Sequence, residues 1–258
     1  MTTSQNDLAR KLKSFHIPGD PLLLANVWDG ASAASIATHP STKAIATASY
    51  AIAATQGLDD GNMTLDQNLT GVRNVVAGVR KAGKADQIPV SADLEDGYED
   101  PAVTVRKAIE LGVVGCNLED VDNRKGELRS VDDAVARIRA AVATAREAGV
   151  PDFVVNARTD VLGYGGNMSD VVERGKKFLE AGATSVFVWG VMKWDIRPNE
   201  VVEMVKAFGG RLAVQPGSIG VEKLTELGVS RISVGPALWR KSMSVLEGEG
   251  LRLGVLKS

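Results

Sequence analysis

The chain has 258 residues, of which 44% are hydrophobic and 24% are charged, and its formal net charge is −2. This length suits one α/β barrel, so we predict a single domain that spans 1–258. The near-neutral charge gives no electrostatic reason to expect nucleic acid or an anionic membrane as a partner, and no apolar run approaches the ~18 residues of a membrane span. One cysteine and the lack of a secretory pattern after Met1 make the cytoplasm the expected location.

Short β-rich runs alternate with segments of helical periodicity, which is typical of parallel βαβ units. The predicted strands are Leu22–Val27, Ala44–Ser49, Ile88–Asp93, Val113–Glu119, Asp152–Arg158, Thr184–Trp189, Arg211–Gln215 and Ser230–Gly235. The helices predicted between them include Leu65–Lys81, Val131–Ala148 and Met168–Ala181. Eight such units favour an α/β fold of the (β/α)8 TIM-barrel type. An open doubly wound sheet is the alternative, although it commonly has fewer strands.

Polar or aromatic residues stand at the C-terminal ends of nearly all the predicted strands. These residues are Trp28, Asp29, Ser49, Tyr50, Asp93, Glu95, Glu119, Arg158, Trp189, Gln215 and Ser233. Packing alone does not explain so regular a placement, whereas barrel enzymes build their active sites at this end of the strands. The pattern therefore predicts an active site at the C-terminal end of the barrel.

Carboxylates gather after two successive predicted strands, with Asp93 and Glu95 after the first and Glu119 after the second. Side chains alternate along a strand, so Asp93 and, if the extended backbone continues, Glu95 share a face and can converge with Glu119. Crowded carboxylates repel unless a cation neutralises them, and hard oxygen ligands suit Mg²⁺. The pattern predicts a Mg²⁺ site held largely through water. The alternative is a set of helix caps and surface acids, a role that suits Asp96 and Asp100.

Arg158 ends the fifth predicted strand, within the segment 156–160. Its planar guanidinium can bind a carboxylate or a phosphate through two hydrogen bonds, which predicts a substrate-binding role. The alternative is that Arg158 only balances the charge of the nearby acids. A guanidinium beside Mg²⁺ suits a small polyanion that reacts through an enolate-like intermediate, because both groups stabilise the developing oxyanion.

Six motifs resemble, in order, those of the isocitrate lyase/phosphoenolpyruvate mutase superfamily, between about residue 15 and about residue 245. They are Asn26-Val-Trp-Asp-Gly-Ala-Ser-Ala, Gly57-Leu-Asp-Asp-Gly, Ala92-Asp-Leu-Glu-Asp-Gly-Tyr, Leu118-Glu-Asp, Asn156-Ala-Arg-Thr-Asp and Gly228-Val-Ser-Arg-Ile-Ser-Val-Gly-Pro. The resemblance implies a Mg²⁺-dependent barrel, with Mn²⁺ as an alternative cation, that makes or breaks C–C or P–C bonds beside a 2-oxo or enol carboxylate. It also implies a homo-oligomer, a dimer or a tetramer, in which the eighth helix is often swapped between neighbours.

The matched positions carry the family's residue roles onto this chain. The resemblance assigns metal binding to Asp93, Glu95 and Glu119, with Glu95 in place of a family aspartate. It assigns Asp60 to the support of the metal's water shell, and the implied catalytic residues are Arg158, Asp60 and Glu119. The residues expected to bind a small carboxylate substrate are Trp28, Ser49, Tyr50, Asp93, Arg158 and Gln215. Asp29 has two open roles, one in the pocket floor and one in the local structure.

The segment 121–129 departs from the family pattern, because it lacks the cysteine and the histidine of the true lyases. Cys116 is no substitute, since alternation turns it away from Glu119, and a lone buried cysteine behaves as a small hydrophobe. Asn123 is a candidate for the functional asparagine of the mutase branch, with Arg124 or Lys125 closing over an anion. The alternative is a short solvated turn.

Together, these features favour Mg²⁺-dependent cleavage of a C–C bond in a small 2-oxo or 2-hydroxy (di)carboxylate. The reaction would pass through a pyruvate enolate, in a lyase or an oxaloacetate-decarboxylase-like enzyme, with water as the proton source. Two alternatives stay open: P–C bond chemistry of the phosphonomutase kind, and a barrel that binds a metabolite without turnover. We expect Trp189, Trp194 and Gln215 to shape the pocket, although Trp194 has a subunit contact as its alternative role.

Overall fold

The computed structural model describes residues 3–190 and 194–256. Its strands are β1 Leu22–Val27, β2 Ile45–Thr47, β3 Val90–Asp93, β4 Gly115–Glu119, β5 Val121–Asp122, β6 Glu127–Leu128, β7 Val154–Thr159, β8 Ser185–Val188, β9 Leu212–Val214 and β10 Arg231–Ser233. Eight of them pair in parallel in a closed barrel of order β1-β10-β9-β8-β7-β4-β3-β2, and β5 and β6 form an antiparallel hairpin. The prediction of a (β/α)8 TIM barrel is confirmed.

The helices surround the barrel. They are α1 Gln5–Ser14, α2 Gly30–Thr38, α3 Ser49–Thr55, α4 Leu65–Lys81, α5 Pro101–Glu110, α6 Val131–Glu147, α7 Met168–Glu180, α8 Pro198–Phe208, α9 Val221–Glu226 and α10 Ala237–Arg252, with a 3₁₀ turn at Val161–Tyr164. The bounds of β1 and α4 are those predicted, and α6 and α7 each end one residue earlier than predicted. The predicted second strand ends early because Ser49 begins α3, a short helix that the sequence pattern did not reveal.

The helix α4 shows how local sequence sets these elements. Thr64 caps its N-terminus: Thr64 Oγ1 accepts from the Gln67 backbone N–H at 3.3 Å, and Gln67 Oε1 accepts from the Thr64 backbone N–H at 2.8 Å. Helical spacing buries Leu69, Val72, Val75 and Val79 on one face. The helix packs so closely on α2 that a Cβ at Gly78 would stand 2.3 Å from the Gly30 carbonyl oxygen. Glycine is therefore required at Gly78, and α2 and α4 are in direct contact beside β2.

Side-chain alternation along β4 follows the predicted parity. Asn117 Oδ1 accepts from Asn156 Nδ2 at 2.8 Å and from Arg231 Nη2 at 3.1 Å, so Asn117 faces the barrel interior. Cys116 is fully buried in the hydrophobic core. Burial raises the pKa of the Cys116 thiol to about 12, which leaves it unreactive. The interpretation of Cys116 as a small hydrophobe is confirmed.

The helix α10 differs from the other long helices because it has no buried residue. Its exposed apolar side chains are Leu238, Met243, Val245, Leu246 and Leu251. It meets the barrel through Trp239, whose ring lies edge-on to that of Tyr50 with 5.6 Å between centroids. None of the helices in the described residues combines the length and the apolar character that a membrane crossing requires.

Candidate active site

Asp93 is fixed at the C-terminal end of β3 by groups from three neighbouring elements. Its backbone N–H donates to Thr47 Oγ1 at 2.8 Å, and its carbonyl accepts from Asn68 Nδ2 at 3.0 Å. Its carboxylate accepts from Ser49 Oγ at 3.1 Å, through Oδ2. β2, α3 and α4 thus hold Asp93 and Ser49 at the position that the sequence predicted for the site.

Glu95 enters the site from a backbone conformation that disfavours any residue with a Cβ. Its φ is 52°, in the left-handed region, and Tyr98 three residues later has φ 58°. The Glu95 side chain is buried, and its Oε1 has no hydrogen-bond partner. Burial, followed by the charges of Asp60 and Asp93, raises the pKa of Glu95 to about 8. A non-glycine residue in this strained state points to a role in the site.

Arg158 forms a buried ion-pair cluster with two acids. Its Nη1 lies 2.6 Å from Glu119 Oε2, while Nε and Nη2 donate to the two oxygens of Asp160 at 2.7 and 2.5 Å. The guanidinium also stacks on Trp189, with Cζ 4.3 Å from the ring centroid. Burial outweighs the attraction of Arg158 and raises the pKa of Glu119. The charges of Asp160 and Glu119 overcome burial and raise the pKa of Arg158.

The predicted catalytic acids occupy different depths of this site. Glu119 is buried beside Arg158, whereas Asp60 is exposed at the mouth. Partial desolvation, followed by the charge of Asp93, raises the pKa of Asp60. The raised pKa values of Asp60, Glu95 and Glu119 together indicate an excess of negative charge in the site. Asp93, Glu95 and Glu119 do not form a direct cage, since no group of three acidic, histidine or cysteine side chains in the described residues could hold a metal ion.

The side chains nevertheless fit a hard divalent cation that is bound mostly through water. Glu95 Oε1 is a buried oxygen without a partner, and Asp93 and Asp60 add hard oxygens near it. Mg²⁺ commonly takes only one or two carboxylates and keeps several waters. The Mg²⁺ site predicted at Asp93, Glu95 and Glu119, held largely through water, therefore stays a prediction.

The segment 121–129 is a hairpin that reaches into the site. Asn123 Nδ2 donates to Glu119 Oε1 at 2.8 Å and lies 3.5 Å from Glu95 Oε2. The tip, 124–127, is exposed, so the solvated-turn alternative holds for the tip and is wrong for Asn123. A cavity of about 900 Å³ opens between this hairpin and the segment 61–66.

Two acids near the site have structural roles, and one of them was predicted wrongly. Asp100 caps α5, as predicted, by accepting from the Ala102 backbone N–H at 2.8 Å. Asp96 is neither a cap nor solvent-facing: it is buried and accepts from Arg129 Nη2 at 2.8 Å and from the Asn123 backbone N–H at 3.4 Å. Its burial follows from the left-handed turn at Glu95, which no spacing rule for strands anticipates.

The other residues predicted to bind substrate are Trp28, Tyr50 and Gln215. Their described contacts are with residues outside the acid cluster. Trp28 is half-buried and packs against the core, and the adjacent Asp29 caps α2, which confirms the structural alternative for Asp29. The Tyr50 ring packs on Trp239. Gln215 follows β9 and lines a separate cavity of about 260 Å³. The substrate-binding roles of Trp28, Tyr50 and Gln215 stay predictions.

Sequence reasoning missed several residues that support the site. Asp160 could have been found, because it lies two positions after Arg158 and strand alternation gives it the same face. Asn68 donates through Nδ2 to Asp93 O and to Tyr98 Oη, the latter at 2.9 Å. No sequence signal marks Asn68, since a helix residue that supports a distant strand follows no local spacing.

The comparisons with known proteins agree with the fold and identify the family. The sequence profile of the phosphoenolpyruvate phosphomutase family matches residues 12–250, so the chain belongs to that family. The isocitrate lyase/phosphoenolpyruvate mutase superfamily inferred from the motifs is thereby confirmed. Its members among the similar proteins are lyases, mutases and related enzymes.

Two relatives show how the sequence likeness is distributed. An uncharacterised protein of Mycobacterium tuberculosis is 30% identical over 224 residues, which cover 85% of this chain and 80% of that protein. A probable 2-methylisocitrate lyase of Corynebacterium glutamicum is 36% identical over 132 residues, 47% of this chain and 42% of that protein. The named lyase thus matches only about half of this chain.

Two solved structures share the whole fold. A protein of Burkholderia cenocepacia, provisionally described as a phosphonomutase, has a TM-score of 0.86 and 33% identity over 97% of this chain and 100% of its own. Oxaloacetate acetylhydrolase in complex with the product oxalate has a TM-score of 0.83 and 25% identity over 98% of this chain and 90% of its own. The similar proteins thus include ones named as lyases, as a hydrolase and as mutases.

Proposed function

We propose that this chain is a Mg²⁺-dependent enzyme that cleaves a C–C bond in a small 2-oxo or 2-hydroxy (di)carboxylate. The reaction would release a pyruvate enolate, as in a lyase or an oxaloacetate decarboxylase. The observation that carries this proposal is the excess of buried carboxylates around Asp93 and Glu95, set beside the guanidinium of Arg158. Such a site suits an anionic substrate whose charge increases on an oxygen during bond cleavage.

Each residue has a role that its contacts support. Asp93 and Glu95 would hold the Mg²⁺, and Asp60 and Glu119 would accept hydrogen bonds from its waters. The bound cation would supply electrostatic stabilisation of the enolate oxygen. Arg158 uses three of its five N–H groups on Glu119 and Asp160, which leaves two for a substrate carboxylate.

The hairpin supports a reaction without a dedicated cysteine acid. It brings the neutral amide of Asn123 to Glu119, and the described hairpin residues include no cysteine or histidine. Asn123 can orient a water or a substrate oxygen but cannot protonate a carbanion at neutral pH. Solvent water would therefore supply the proton to the released enolate. This favours a decarboxylase-like or retro-aldol reaction over the cysteine-dependent lyase reaction.

The test is a substrate screen by pyruvate release, with and without Mg²⁺, on oxaloacetate, 2-methylisocitrate, dimethylmalate and phosphonopyruvate. We expect turnover of at least one 2-oxo or 2-hydroxy acid that requires Mg²⁺ and is lost in D93A. Glu99→Gln is a matched control, since Glu99 is exposed and pairs only with Arg124 among its described ion pairs. Thermal stabilisation by these acids without any product would instead indicate a metabolite-binding barrel and contradict the proposal.

A second candidate function, P–C bond chemistry, is favoured by the family profile and by the position of Asn123. Phosphorus NMR on phosphonopyruvate separates the two reactions. Loss of the phosphonate signal with appearance of a phosphate ester would assign the chain to the mutase kind. An unchanged phosphonate signal alongside turnover of a carbon acid would exclude it.

A further inference from the structure

Arg231 is a buried cation inside the barrel without an acidic partner. It begins β10, is 0% exposed, and donates through Nη2 to Asn117 Oδ1 at 3.1 Å and to Ser91 Oγ at 3.5 Å. Its Nε and Nη1 have no hydrogen-bond partner, and it forms no ion pair within 4.0 Å among the described residues. A buried unpaired charge is costly to the fold, so its presence calls for an explanation elsewhere in the molecule.

The strand register places this charge directly beneath the acid cluster. Ser91 lies two residues before Asp93 on the same face of β3, and Asn117 is the register partner of Asp93 on β4. Two residues along a strand span about 7 Å, so the Arg231 guanidinium lies one layer of side chains below the Asp93 carboxylate. Burial lowers the pKa of Arg231 to about 10, and Cys116 and then Asp93 oppose that change.

We propose that Arg231 is a positioning residue that sets the affinity of the site for its divalent cation. Its charge offsets the crowded carboxylates while the cation is absent, and it repels the cation from below once it is bound. The cation therefore stays exchangeable in a site rich in carboxylates. This inference rests on the proposed Mg²⁺ site and adds a residue that contacts neither the cation nor the substrate.

Elementary electrostatics gives the size of the effect. The cation lies beyond the Asp93 carboxylate, about 10 Å from the guanidinium, and a unit charge at that distance changes its binding constant roughly fourfold even at the dielectric constant of water, and more in a barrel interior. A purely structural role predicts the opposite sign. Loss of the hydrogen bond to Asn117 would loosen the register partner of Asp93 and weaken cation binding.

The test is Mg²⁺ binding by isothermal titration calorimetry to wild-type protein, R231Q, R231M and R231K. All four proteins are titrated at the same near-neutral pH, so that proton competition is common to them. We expect the two neutral variants to bind Mg²⁺ at least about fourfold more tightly than wild type, and R231K to keep the wild-type affinity within about twofold. Circular dichroism and thermal unfolding check that each variant is folded.

Three results would overturn the inference. The first is equal or weaker Mg²⁺ binding by folded R231Q and R231M, and the second is tighter binding by R231K to the same extent as by the neutral variants. The third is failure of both neutral variants to fold, because the inference holds that the charge serves the site and not the fold. If the wild-type protein does not bind Mg²⁺, the proposed metal site is wrong. That result differs from the three above, in which the wild type binds Mg²⁺ and only the role of Arg231 fails.

Discussion

At the scale of single residues, Glu95 shows how the site differs from the rest of the fold. Its left-handed backbone, its buried carboxylate and its unpartnered Oε1 each disfavour the folded state. Because its folded pKa is about 8, above the ordinary 4.5, the folded state loses stability as the pH rises between these two values. The use of Glu95 in the site accounts for these three unfavourable features.

Glu95→Gln is therefore expected to stabilise the protein in the absence of divalent cations. Removal of the buried charge should raise the free energy of unfolding by up to about 5 kcal/mol above pH 8, with a gain that shrinks as the pH falls towards 4.5. Mg²⁺ affinity should fall by at least about tenfold. Urea unfolding at several pH values and calorimetric titration measure the two effects, with Glu99→Gln as the control. A destabilised variant would show that Glu95 is a structural residue.

How far sequence predicts such residues depends on whether local geometry fixes them. Asp93 and Arg158 were found because strand alternation and strand ends are visible in the chain. Asp96 was placed wrongly, and Asn68 was missed, because a left-handed turn and a long-range helix-to-strand hydrogen bond decide where they lie. Neither the left-handed turn nor the long-range hydrogen bond can be predicted from the spacing of residues along the chain.

At the scale of elements, the β5–β6 hairpin is held at its base by one arginine. Arg129 Nη2 lies 2.8 Å from Asp96, and its Nη1 lies 3.4 Å from Asp122 and 3.1 Å from Asp133. The pairs with Asp96 and Asp122 are largely shielded from water, so they are worth more than surface pairs, whereas Asp133 is exposed. The base of the hairpin is thus fixed, which positions Asn123 over Glu119.

Arg129→Met should loosen this hairpin without unfolding the barrel. We expect faster amide hydrogen exchange across 121–128 and about a tenfold loss of kcat/KM, because Asn123 would no longer be held at Glu119. Arg106→Met is the matched control, since the pair of Arg106 with Glu147 is exposed and joins α5 to α6 away from the hairpin. Unchanged exchange in the Arg129 variant would refute the anchoring role.

At the scale of the whole molecule, the N-terminal segment adds an acid-sensitive group. His16 lies between α1 and β1, its Nδ1 is 2.9 Å from Leu12 O, and its buried Nε2 has no partner. Burial, followed by the charge of Arg231, lowers the pKa of His16 to about 3 from the ordinary 6.5. A lowered histidine pKa means that its contribution to stability is present above pH 6.5 and is lost as the pH falls towards 3.

The protein should therefore lose about 2 kcal/mol of stability through His16 between pH 7 and pH 4. His16→Asn keeps an amide donor for Leu12 O and removes the titrating ring. Denaturant unfolding of both proteins at these pH values isolates the effect, because the carboxylates are common to both. Parallel stability curves would show that His16 is protonated freely in the folded state.

The exposed apolar side chains of α10 predict self-association. We propose a homo-oligomer, a dimer or a tetramer, built on this helix, since Val245 is 50% and Leu246 67% exposed. Light scattering during gel filtration should give a multiple of 27.2 kDa for the wild type and a smaller species for Leu246→Gln. Val202→Gln, at a 51% exposed position on α8, is the control. A monomeric wild type would contradict the proposal.

The contact between Trp239 and Tyr50 has a practical consequence for handling the protein. Tyr50 follows Ser49, whose hydroxyl donates to Asp93, so α10 stands only two residues and one hydrogen bond away from the principal acid. A purification tag fused beyond α10, or proteolytic trimming of that region, would thus disturb the position of Asp93 through Tyr50 and Ser49. Specific activities measured with N-terminal and C-terminal tags should therefore differ.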